Sequence, residues 1–222
     1  MIALGNHRWP EVGRAVLAVP LGATEQHGPH LPLDTDTSIA DELCRRLSVR
    51  EADVLTAPAL PYGSSGEHAD FPGTLSIGRA ALEQVLVELV RSADHFAGVV
   101  LVNGHGGNAA ALRGAVRILR ADGRNVLAWS PSGSPDDTHA GCAETSVMLQ
   151  LRAGDVLLEA AEAGNTTPLP RLLDRLVGEG VRSVSANGVL GDPSGASAAK
   201  GKALLTAWTD ELVGAVRRWR EA

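Results

Sequence analysis

Residues 98–102 read GVVLV, an apolar run with no polar interruption. A strand with one wet face alternates apolar and polar side chains, whereas a strand covered on both faces does not. The run therefore predicts a buried parallel strand, Gly98–Val102. A second short run, Arg14–Pro20 (RAVLAVP), predicts another, and Asp53–Leu60 and Asn125–Ser130 are further strand candidates. Helical patterns lie between them. Thr37–Leu47 places Ile39, Leu43 and Leu47 at intervals of four, with Thr37 or Ser38 as cap. Arg79–Phe96 carries Leu82, Val85, Leu86, Leu89 and Ala93 on one face, and Ala109–Arg120 follows the GVVLV strand. Alternation of strands and helices in this order implies an α/β fold, a mostly parallel sheet with helices on both faces.

The second half is less regular. A helix is expected over His139–Leu151. A short helix is expected within Asn165–Leu176, where Pro168 and Pro170 precede RLLDRL. Ser183–Gly201 is small, polar and glycine-rich, and reads as an ordered loop leading into a last helix, Ala196–Arg220, with Leu204, Trp208, Leu212, Val216 and Arg220 four apart. No internal repeat or composition break divides the chain, so residues 1–222 read as one domain. Aromatics make up 3% of the chain, so its core must be built from Val, Leu, Ile and Ala.

The net charge of −6 argues against nucleic acid as a main partner, which would need a basic face. No apolar run approaches the about 18 residues of a membrane span, and the N-terminal MIALGNHRWPEVGR does not read as a signal peptide. Cys44 and Cys142 suggest no disulfide framework. A cytoplasmic protein is the expectation.

Two strands run directly into ligand-rich motifs. After Val19 comes TEQHGPHLPLDTD, Thr24–Asp36; after Val102 comes NGHGGN, Asn103–Asn108. In open parallel sheets ligands bind beyond the carboxyl ends of the strands. Chain order alone thus brings Glu25, His27 and His105 to one edge. On an extended segment residues two apart point the same way, so Glu25 and His27 can face a common site, each toward a different metal. A carboxylate at the start of the next helix can bridge the two; position leaves Asp34 and Asp36 both open. Gly104, Gly106 and Gly107 clear the space around His105, and Asn103 and Asn108 are placed to hold the loop through side-chain hydrogen bonds. His139 and Glu144 are five apart, one in a loop and the other in a first helical turn, where Glu144 also fits an ordinary cap. The loop Pro61–Thr74 adds Tyr62, Glu67 and His68. His7 and His95 read as ordinary surface or core residues. Imidazole and carboxylate suit Zn²⁺, Fe²⁺ or Mn²⁺. Glu25, Asp36 and Glu144 with two divalent cations and a bridging hydroxide sum to zero charge, the balance expected of a two-metal hydrolytic site.

The stretches LGATEQHGPHLPLDTDT, PYGSSGEHADFPGT, NGHGGN, HAGCAETS and GVLGDPSGAS, in this order over nearly the whole chain, resemble the creatininase family of metal-dependent amidohydrolases. The resemblance implies a three-layer α/β/α sandwich with two divalent metal ions, Zn²⁺ with Fe²⁺ or Mn²⁺. It implies that Glu25 and His105 bind one metal, His27 the other, and Asp36 bridges. In creatininase itself a Glu two residues after the NGH histidine binds the second metal; here that position is Gly107, and the resemblance to members with the HGG form points to Glu144 instead. His139 matches a histidine acting near the substrate, with His139 or Glu67 delivering a proton to the leaving nitrogen. His30, Asp34, Tyr62, His68, Asn103, Gly106, Gly107 and Asn108 become substrate-facing or supporting candidates. The stretches HGPHLPLDTDT and SANGVLGDPSGAS most resemble the family's mycofactocin-system peptidases, which implies release of a C-terminal Val-Tyr dipeptide from a modified precursor peptide. The alternative is hydrolysis of a small cyclic amide or formamide, such as creatinine or a formylated pyrimidine precursor. A metal-stabilised binding protein without turnover would need a closed ligand set; five ligands for two metals leave room for water and substrate. A homo-oligomer, hexamer or octamer, is also implied, to which the last helix can contribute contacts.

Overall fold

The computed structural model describes residues 3–222. Its four strands are β1 (Val16–Leu21), β2 (Val54–Thr56), β3 (Gly98–Asn103) and β4 (Val126–Trp129). They form one parallel sheet in the order β2-β1-β3-β4. The helices are α1 (Thr35–Arg50), α2 (Gly78–Arg91), α3 (Ala109–Ala121), α4 (Cys142–Arg152), α5 (Leu173–Glu179) and α6 (Ala198–Glu221).

The pleat sorts the core. From β1 and β3, Val16, Ala18, Val100 and Val102 face Ile39, Leu43 and Leu47 of α1, Met148 of α4, and Trp208, Leu212 and Val216 of α6. The alternate residues, Leu17, Val19, Val99 and Leu101, face Leu82 and Leu86 of α2 and Leu112 and Leu119 of α3. Both faces of the sheet are thus covered, which is why the strands are uninterrupted apolar runs. The architecture is the expected three-layer α/β/α sandwich. None of the helices is long and apolar enough to cross a membrane among the described residues. Both cysteines are free.

The expected boundaries need six corrections. Strand β2 stops at Thr56, because Pro58 has no N–H for the ladder; beyond it Ala57 N still donates to Ala18 O (2.8 Å) and Leu60 N to Pro20 O (2.9 Å). Helix α1 begins two residues early, at Thr35. Helix α2 ends at Arg91, and its Val85 and Leu89 are half-exposed while Val87 and Val90 are buried. Helix α4 begins at Cys142 rather than His139, because Ala140 adopts a left-handed φ of 53° and the Asp137 carboxylate caps the backbone N–H groups of Cys142 (2.8 Å) and Ala143 (2.9 Å). Helix α6 starts at Ala198, capped by Ser197, whose hydroxyl accepts from Lys200 N. In the 165–176 segment the helix proper, α5, begins only at Leu173.

The start of α1 is seated deep against the sheet. A Cβ on Gly22, after β1, would collide with Thr37, and one on Gly104, after β3, would collide with the Asp36 carbonyl oxygen. Bare backbone at both strand ends lets the first turn of α1 reach the loop carrying His105.

Candidate metal centre

Three loops at the carboxyl edge of the sheet supply the site: residues 24–36 after β1, 103–108 after β3, and 139–144 leading into α4. Glu25, His27, Asp36 and His105 are buried and Glu144 is nearly so. Their ligand atoms fall into two triads that share Asp36. Atoms of Glu25, Asp36 and His105 lie within 4.8 Å of one another, and so do atoms of His27, Asp36 and Glu144. In the first, His105 Nε2 is 3.2 Å from Glu25 Oε2 and His105 Nδ1 is 3.1 Å from Asp36 Oδ2. In the second, His27 Nε2 is 3.1 Å from Asp36 Oδ1 and 3.8 Å from Glu144 Oε2. His27 Nδ1–H donates to the Glu25 carbonyl at 3.2 Å, which turns Nε2 toward the carboxylates.

The donor set fits metal better than hydrogen bonding. Both carboxylate oxygens of Glu25 and Oδ2 of Asp36 are buried without an aligned hydrogen bond, although imidazole nitrogens stand at ion-pair distance. Buried ionisable oxygens left in that state are costly unless a cation joins them. The protons respond accordingly. Burial pushes the Glu25 carboxyl up to about 8 and Glu144 up to about 7. Burial opposes charge on His27 and His105 as well, but Asp36 and Glu144 around the first, and Glu25 and Asp36 around the second, raise each to about 10. Asp36 is driven far down despite burial, chiefly by His27 and His105.

A further layer stands behind the triads. His68 Nε2 is 3.4 Å from Glu25 Oε1 and His139 Nδ1 is 3.6 Å from it. The His139 ring lies 4.2 Å from that of His27 and 4.5 Å from that of His68. Burial, then the neighbouring His105 and His27, lowers His68 to about 3, and burial holds His139 well below the ordinary histidine value. His30 is buried and its Nε2 meets Thr145 Oγ1 at 2.8 Å.

The other expected residues divide. Asn103 Nδ2 donates to the His105 carbonyl (2.8 Å), while Asn108 accepts from Ser64 N (2.9 Å) and donates to Gly22 O (3.1 Å), so both hold the loop. Gly107 is walled by Ser64 O, His105 Nε2 and Glu67 Oε1, which brings the Glu67 carboxylate beside the site and leaves no room for a side chain at 107. Gly106 has open space. Asp34 is outside the cluster: it is half-exposed and paired with Arg152 at 2.7 Å. Tyr62 is exposed, with no side-chain hydrogen bond to the cluster among the described residues. Capping of α4 is done by Asp137, which frees Glu144 to turn inward; one oxygen of Glu144 accepts from Ala140 N at 2.6 Å.

Sequence reasoning passed over Gln26. Period-2 alternation would turn it away from Glu25 and His27, yet residues 24–27 are not a regular strand, and Gln26 is buried between His68 and His139. Its place inside TEQHG was the one available signal.

Comparison with known proteins gives the family. The family model described as creatinine amidohydrolase matches residues 6–216. The mycofactocin precursor peptide peptidase of Mycobacterium tuberculosis (strain ATCC 25618 / H37Rv) is 50% identical over 214 residues, covering 91% of this chain and 85% of that protein. A manganese form of creatininase superposes with a TM-score of 0.83 at 28% identity, covering 98% of both chains. A zinc–zinc form of a creatininase variant gives 0.82 at 28% identity, covering 98% of this chain and 97% of the other. With the family model spanning nearly the whole sequence and the two shared-Asp36 triads in place, the chain belongs to the creatininase family.

Proposed function

We propose that this hydrolase is a cytoplasmic peptidase that cleaves an amide bond near the C-terminus of a modified precursor peptide, releasing a Val-Tyr dipeptide. The observation that carries the hydrolytic reading is Asp36, buried between two triads with one carboxylate oxygen toward each. The peptide reading is supported by the 50% identity to a relative named a precursor peptide peptidase.

Glu25, His105 and Asp36 would hold one divalent cation, and His27, Glu144 and Asp36 the other, zinc with iron or manganese. Such a pair, when bound, makes water a stronger acid and polarises a carbonyl. The chain does the rest. The Glu25 carbonyl orients His27, and Asn103 and Asn108 fix the His105 loop. Gly106, next to His105, has open space around its Cα, so no side chain there crowds the approach to that loop. His139 turns Nδ1 toward Glu25, where it can take and return a proton, and Glu67, beside His105, is the second group placed to protonate the leaving nitrogen. Copies of the chain assemble as a hexamer or octamer; exposed Trp9 with Val85 and Leu89 supplies apolar surface for such contacts.

Purified protein with its metal content determined should hydrolyse a peptide ending in Val-Tyr and release the free dipeptide, with little turnover of creatinine or a formylated pyrimidine precursor. Preference for either small amide would overturn the peptidase reading and leave the hydrolase standing.

A further inference from the structure

We propose that Gln26 is a positioning residue that sets the tautomers of His68 and His139, and thereby leaves His139 Nδ1 open toward the metal pocket. The inference rests on the hydrolytic reading of the centre and adds to it the group that aligns its histidines.

The orientation of the Gln26 amide follows from two partners with no ambiguity. Its Nε2 is 3.0 Å from the Gly188 carbonyl oxygen, which only accepts, and its Oε1 is 2.9 Å from the Gly28 backbone N–H, which only donates. Exchanging O and N would set two acceptors face to face at one end and two donors at the other. The nitrogen therefore has one hydrogen left, and two candidates for it: His68 Nδ1 at 2.8 Å and His139 Nε2 at 3.0 Å. His139 Nε2 is also 2.8 Å from the main-chain carbonyl of Gln26, again an acceptor only. His139 must then carry its proton on Nε2 and give it to that carbonyl. The remaining amide hydrogen goes to His68 Nδ1.

Both tautomers follow. His68 accepts at Nδ1, so its proton sits on Nε2, the atom 3.4 Å from Glu25 Oε1. His139 donates through Nε2, so Nδ1 is the nitrogen left facing Glu25 at 3.6 Å. One residue thus governs two rings, through its side chain for His68 and its main chain for His139. A distant stretch protects the arrangement: Gly188 takes a φ of +80°, and a Cβ there would strike the Gln26 amide. The glycine of SANGV and the glutamine of TEQHG, 162 positions apart, are thereby parts of one device.

Gln26→Glu keeps the shape and the acceptor for Gly28 but removes both amide hydrogens. Neutron diffraction from metal-loaded crystals would read the protons directly, and steady-state kinetics with metal analysis would read the consequence. The parent protein should show deuterons on Nε2 of both His68 and His139. In Gln26→Glu the His68 deuteron should move to Nδ1, with kcat lower by about 10- to 100-fold, as for other groups that orient a metal site's side chains. KM should change less than about threefold, and both metals should remain. Gln26→Met, equal in length without hydrogen-bonding groups, should lower kcat similarly. A deuteron on His68 Nδ1 in the parent would overturn the assignment. So would unchanged kcat in Gln26→Glu, or a fall in kcat that only follows loss of metal. Should the parent hydrolyse none of the amides, the proposed function fails while the neutron result still decides the tautomers.

Discussion

In the layer of ligand atoms, both oxygens of Glu25 and one of Asp36 are buried without an aligned hydrogen bond; one step behind, both polar atoms of the Gln26 side chain are hydrogen-bonded. The two layers occupy the same edge of the same sheet and draw on the same short stretch of chain. Their difference lies in what each must do. The front layer keeps lone pairs free, at about 1–3 kcal/mol for each buried unsatisfied group, and a cation is what offsets that cost. The rear layer fixes ring orientation and proton position, and for that its own hydrogen bonds must be complete.

The sharpest way to break the front layer is Asp36→Ala. Because both triads contain Asp36, the variant should lose both metals and fall to background hydrolysis, as read by metal analysis and assay. Retention of one metal equivalent would show that the triads are independent. Removal of metal by chelation should come next in size. A ligand held at one hundred times its dissociation constant stabilises the native state by about 2.7 kcal/mol, so restoring metal should raise Tm by several degrees. An unchanged Tm would mean that the buried carboxylates gain nothing from a cation.

The pH dependence sharpens the same contrast. His27 and His105 are raised from 6.5 to about 10 in the metal-free fold. A histidine raised by folding contributes stability that is complete below its unfolded value and disappears as pH rises through its folded value. The chelated protein should therefore lose Tm between about pH 6.5 and about pH 10, while metal affinity rises over the same window because the cation competes with those protons. Parallel trends would contradict the assignment of these two rings. The smallest effect belongs to Asp34→Asn, which removes a half-exposed partner of Arg152. It should leave metal content unchanged and alter stability by less than about 1 kcal/mol.

Much of the fold was legible because its physical causes are local. The runs RAVLAVP and GVVLV are apolar throughout since helices cover both faces of β1 and β3. Chain order then placed Glu25, His27 and His105 at one edge. The boundaries that shifted depend on single residues whose effect is tertiary or conformational: Pro58 cutting β2 short, and left-handed Ala140 delaying α4. Asp34 and Asp36 could not be separated by position, because the distinction is which one Arg152 reaches from α4, 118 residues away. The Gln26 network was invisible for the same reason: its partners His68, His139 and Gly188 come from three separate segments.

Anomalous diffraction from metal-loaded crystals addresses the central claim most directly. Two peaks should flank Asp36, one bounded by Glu25 and His105 and the other by His27 and Glu144. A single peak, or a second peak held by His139 in place of Glu144, would contradict it.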